Sequence, residues 1–133
     1  YMPIVDAREL AGDALTIGDI AITCVDMPHG PIWSTGFRFE HDGKSAGYAT
    51  DFHDITPEMA SLFRGLDLWV VDALREAPHP THSHLAQTLD AIERLEPAQA
   101  LLTHMDQSMD YDRLCATLPR HVRPAHDGQS IIL

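Results

Sequence analysis

The chain holds 133 residues, enough for one domain with a core of its own. An apolar fraction of 44% and a charged fraction of 22% describe an ordinary globular chain. Nine Lys and Arg against 20 Asp and Glu leave a formal charge of −11, which argues against a nucleic-acid groove read by a basic patch. A small anion held at a metal stays open, because an ion's own charge dominates locally. Nine histidines are the compositional oddity. Cys24 and Cys115 lie far apart and are expected to be buried thiols rather than a disulfide or a zinc ribbon. No apolar run approaches membrane-spanning length and no signal peptide is visible, so the expected compartment is the cytoplasm, with no membrane partner. The first residue is Tyr1 and not methionine, which suggests a piece of something longer.

In chain order, Ile20 to Val25 is a β-branched run, and Gly36 to Glu40 alternates apolar with polar residues. Asp42-Gly43 makes a turn into Ser45 to Thr50, a further strand. Thr56 as N-cap and Pro57 in the first turn predict a short helix to about Arg64, closed by Gly65. Leu66 to Val71 has the near-continuous apolar character of a buried strand. Beyond Pro78 and Pro80, the spacing of Leu85, Leu89, Ile92 and Leu95 predicts a helix over 84–95, capped by Thr81 or Ser83. Pro97 stops it. Ala98 to Thr103 is the next strand, Asp110 to Leu118 the last helix, and Ile131 to Leu133 a closing strand. Strand, helix, strand, helix, strand predicts an α/β fold with a largely parallel sheet, and ligands collect at the carboxyl ends of such strands. Asp51, Asp72 and His104 stand just past those ends.

Each candidate has a chemical and a structural reading. A carboxylate leaving a buried strand, as Asp51 does, can bridge two cations, one per oxygen, or can serve as a turn or cap aspartate. His104 ends LLTHMD at a rigidly aimed position that suits a metal ligand, against the commoner fate of a hydrogen-bonded core histidine. His29 in MPHGP is a loop histidine of the usually exposed kind, Asp106 is expected to be a solvated loop acid rather than a partner of a ligand, and Asp72 either orients a ligand or caps the following loop, with the structural role expected. No motif supports His41, His53, His79, His121 or His126 as ligands. The stretch HPTHSHLAQ, 79–87, imitates the metal-capturing signature H-x-H-x-D-H, but Ala86 stands where Asp is required and Gln87 where the third His is required.

The ordered segments MPHGP, STGFRFE, SAGYATD, DLWVVDA, HPTHSHL, QALLTHMDQSMDY and PAHDG resemble the C-terminal half of a metallo-β-lactamase-fold hydrolase. Within that superfamily they look most like the branch containing the phosphoribosyl cyclic phosphodiesterase of carbon–phosphorus lyase pathways, with ribonuclease Z more distant. The likeness runs from Ile20 to Leu133. It implies a single domain, 1–133, that is half of an αββα sandwich, a mixed sheet with helices, whose full form holds two divalent ions, zinc or manganese. It makes His29 a ligand of the first metal, Asp51 the bridging carboxylate and His104 a ligand of the second. His82 matches an active-site histidine that contacts phosphate and protonates the leaving group, while His84 falls at a less constrained position. The H-x-H-x-D-H run, which supplies most ligands and lies upstream in the family, is absent from these 133 residues, so the piece alone is expected to bind metal weakly and to be inactive.

The leading expectation is thus a metal-dependent hydrolase of a small cyclic phosphodiester, in which metal-held hydroxide attacks phosphorus. A second keeps the fold and changes the substrate to a thioester, a lactone or a tRNA 3′ end, the last disfavoured by the acidic charge. A third is a non-catalytic α/β module that pairs with itself. Half a sandwich exposes one apolar sheet face, from which a homodimer is expected for the isolated piece.

Overall fold

The computed structural model describes Ile4 and residues 14–133. One seven-stranded sheet runs in chain order: β1 (Ala14–Ile17), β2 (Ile20–His29), β3 (Ile32–His41), β4 (Lys44–Ala49), β5 (Leu68–Asp72), β6 (Gln99–Thr103) and β7 (Val122–Pro124). β1 to β4 form an antiparallel meander, and β4 to β7 are parallel, joined by α1 (Pro57–Phe63), α2 (Leu85–Leu95) and α3 (Tyr111–Thr117). The expected mixed α/β sheet is what forms. No helix among the described residues is long and apolar enough to cross a membrane.

Local chemistry explains the element ends. The Met59 N–H donates to Thr56 Oγ1 at 3.2 Å and Pro57 opens α1, as expected. Gly65 follows at φ 63°, and its N–H donates to the Leu95 carbonyl. Asp110 caps α3 by accepting from the Arg113 N–H at 2.7 Å. The N-cap of α2 is His84, not Thr81 or Ser83, and its side chain makes no cap bond. Ser83 is buried instead, its hydroxyl against that of Thr88 at 2.8 Å, and Thr88 donates to the Asp72 carbonyl. That inward network outcompetes a cap.

Two short strands escape the sequence patterns, β1 and β7, and the expected strand at Ile131 to Leu133 does not form. Cys24 is half-buried in β2, but Cys115 is exposed on α3, because the buried face of that short helix is carried by Leu114. No disulfide joins them among the described residues.

The three helices share a core with one face of the sheet: Met59, Phe63, Ile92, Leu95 and Leu114 pack with Met27, Trp69, Val71 and Leu102. Gly47 is required there, since a Cβ would stand 2.5 Å from Leu66 Cδ1 and 3.0 Å from Trp69 Cδ1. The alternate strand residues point the other way. Phe37, Tyr48, Val70 and Leu101 are in register across four strands, forming an apolar row on the face opposite the helices. Tyr48 is 43% exposed there.

Candidate metal centre

Three parallel strands end side by side and deliver three polar residues to one edge. Asp72 is the last residue of β5, His104 follows β6 directly, and Asp51 lies two residues past β4. Asp51 and His104 sit at φ 63° and 59°, in the left-handed region that non-glycine residues rarely occupy. Such strain persists only where surrounding contacts over-determine it, and here it turns both side chains onto the same spot. His29, at the end of β2, reaches that spot from the antiparallel side. His82 arrives from the loop before α2.

The residues singled out as candidates therefore meet. Asp51 Oδ1 lies 3.9 Å from His29 Nε2, 3.9 Å from His104 Nε2 and 4.0 Å from His82 Nδ1. These separations are too long for hydrogen bonds. Donors about 2 Å from one shared ion stand roughly 3–4 Å apart, so the spacing fits a cation among them. His29 Nδ1 contacts the Thr81 carbonyl at 2.8 Å, which places its proton there and leaves the Nε2 lone pair facing Asp51. His29, Asp51 and His82 form one compact donor group, and Asp72, His82 and His104 a second.

Of the two readings open to Asp72, its contacts are of the ligand-orienting kind rather than those of a simple loop cap. It is fully buried, and its Oδ2 accepts from the Asp51 N–H at 3.0 Å while lying 3.0 Å from His82 Nδ1 and 3.6 Å from His104 Nδ1. Its Oδ1 has no hydrogen-bond partner among the described residues. A buried, half-satisfied carboxylate is costly alone and is stabilised by positive charge held against it, so the residues present fit a divalent ion. The signal was a charged residue ending an otherwise apolar buried strand, LWVVD. His82 packs edge-on or tilted among three neighbours, its ring centroid 4.6 Å from His29, 4.9 Å from His104 and 5.0 Å from His79.

The other candidates stand apart from the centre. Asp106 accepts from the Ser108 N–H and hydroxyl, bonds that hold its carboxyl below the usual aspartate range. His84 lies beside Gln87 at the start of α2, and Asp127-Gly128 forms a turn. His79, read in the sequence as a histidine without motif support as a ligand, belongs to neither donor group among the described residues. Partial burial, and then the Arg75 charge, lower the affinity of its imidazole for a proton.

A family model, the beta-lactamase superfamily domain, matches residues 2–105. Among solved structures, a diphosphatase from the PhnP family superposes with a TM-score of 0.87 at 31% identity, over 95% of this chain and 48% of that one. Zinc-bound PqqB from Methylobacterium extorquens superposes at 0.73 with 14% identity, over 90% and 53%, a likeness of fold alone. An octanoyltransferase from Porphyromonas gingivalis is 24% identical over 119 residues, 88% of this chain and 23% of that protein. The chain spans about half the length of these solved relatives and under a quarter of the curated one. With the strand-end cluster in place and the family model matched over most of its length, the chain belongs to the beta-lactamase superfamily and has the metallo-β-lactamase fold.

Proposed function

We propose that the chain is the C-terminal half of a metal-dependent phosphodiesterase acting on a small cyclic phosphodiester. The observation that carries this reading is the Asp72–His82 pair at 3.0 Å, set against the cluster of Asp51, His29 and His104. The likeness to a diphosphatase of the PhnP family supports it. His29, Asp51 and His104 would hold the metal, zinc or manganese by the chemistry of imidazole and carboxylate donors. Bound metal supplies Lewis acidity, lowering the pKa of a coordinated water and neutralising phosphate charge.

The chain's own residues do the rest. Asp72 holds Nδ1 of His82 and balances positive charge on the ring, so Nε2 is the nitrogen left for substrate. As the phosphorus–oxygen bond breaks, the Nε2 proton passes to the departing oxygen. On the same reading, the apolar row of Phe37, Tyr48, Val70 and Leu101 packs against the other layer of a sandwich, which also carries the remaining ligands.

The test uses metal-loaded protein carrying both layers, with 2′,3′-cyclic AMP and bis(p-nitrophenyl) phosphate as probes. His82→Ala should slow the cyclic ester, whose alkoxide needs a proton, about 100-fold. It should slow the nitrophenyl ester far less and leave metal content intact. Loss of metal in that variant would make His82 a ligand rather than an acid. Hydrolysis of neither ester by the parent protein would sink the reading. Stoichiometric, tight binding of two metals by the 133-residue chain alone would contradict its half-site character.

A further inference from the structure

The loop between β5 and α2 is built to place one side chain that the proposed mechanism does not use. Its base is closed by paired backbone bonds, Leu74 N–H to the Ser83 carbonyl and Leu85 N–H to the Arg75 carbonyl. The Arg75 guanidinium braces it from within, donating to the carbonyls of Ala77 and Pro78 at 3.2 and 2.8 Å. Its far side is pinned to the site, where the Thr81 carbonyl meets His29 and a Cβ on Gly30 would stand 2.5 Å from Thr81 Cγ2. At the tip, His79 lies between Pro78 and Pro80, whose rings fix the backbone. The Thr81 N–H donates to His79 Nδ1 at 3.3 Å, so this ring carries its proton on Nε2.

His79 touches His82, centroid to centroid 5.0 Å, and makes no ion pair with Asp51 or Asp72 among the described residues. It therefore stands beside the proton donor and outside the metal donors. We propose that His79 is a specificity-determining residue whose Nε2–H donates a hydrogen bond to a hydroxyl oxygen on the sugar or polyol that bears the departing oxygen. This rests on the phosphodiesterase reading above. A neutral donor suits a hydroxyl, whereas a charged one would favour a second phosphate. The bond forms alike in ground and transition state, so its loss raises KM and spares kcat.

His79→Ala and His79→Phe are compared with the parent protein, metal-loaded and with both layers present. With 2′,3′-cyclic AMP, KM should rise about tenfold in both variants with kcat within about twofold. With bis(p-nitrophenyl) phosphate, which offers no hydroxyl there, neither constant should move. His79→Gln, whose amide can place an N–H near the lost one, should recover most of the KM. A fall in kcat with KM unchanged would mean that His79 only steadies His82, and would overturn the proposal. Retention of the parent KM by His79→Phe would overturn it too, since ring packing would then suffice. Equal losses on both esters would do the same. If the parent protein cleaves neither ester, the phosphodiesterase reading fails and this one with it; if the parent cleaves both, only the role of His79 is at stake.

Discussion

The two halves of the sheet solve the same problem differently. In the parallel half, β5 and β6 are buried nearly throughout, and the edge where they end aims Asp72 and His104. In the antiparallel half, β1 is largely exposed, and His29 depends on a contact from outside, the Thr81 carbonyl of the other half. A buried parallel strand is a rigid mount, because helices pack it in place and neighbouring strands bond both of its edges. A hairpin end is a looser one, and needs a latch. The site is therefore assembled across the seam, with its precision supplied mainly from one side.

The largest break in this contrast is Trp69→Ala on β5, beneath the site edge and stacked on Phe63 at 5.6 Å. It should cost about 3–5 kcal/mol in chemical denaturation. Asp72→Asn comes next, with kcat on the cyclic ester reduced about 100-fold and little change in the melting temperature. Retained kcat would return Asp72 to a structural part. Gly47→Ala, forcing a methyl into Leu66 and Trp69, should cost about 1–3 kcal/mol by denaturant titration. Ile17→Ala on exposed β1 should stay within about 0.5 kcal/mol. A loss as large as that of Trp69→Ala would erase the asymmetry between halves.

The smallest effect lies on the seam itself. Asp67, ahead of β5, accepts from the Ser45 N–H and hydroxyl on β4 and pairs with Lys44 at 3.2 Å. The Ser45 N–H first, then Lys44 and the Ser45 hydroxyl, hold its carboxyl below the usual aspartate range. A lowered folded-state pKa contributes stability that is present above the unfolded value of about 3.9 and is lost as pH falls through the folded one. Asp67→Asn should therefore flatten the decline of the melting temperature below about pH 4. An unchanged acid slope would assign that decline to other carboxylates.

Legibility followed the same division. Local patterns carried α1, whose Thr56-Pro57 start works as written, and β5 and β6, whose apolar runs are long enough to recognise. The alternation of strand and helix is enough to put Asp51, Asp72 and His104 at one edge. β1 and β7 are four and three residues long and owe their existence to pairing with a neighbour. Ser83 has the residue type of a cap, yet its hydroxyl is claimed by Thr88, five residues on and inside the core. The pairing of His82 with Asp72, and the place of His79 beside it, were hidden because they depend on a loop closed by tertiary bonds. Spacing along the chain carries no trace of those.

Asp51 and His104 hold backbone conformations that glycine adopts at no steric cost. At both positions, then, the substitution most agreeable to the backbone is the one that deletes the functional atoms. A search for more stable variants would find Asp51→Gly and His104→Gly attractive, and on the metal-site reading proposed above would lose two ligands by accepting them. The carboxylate and the imidazole thus stand in these two places against the local preference of the backbone.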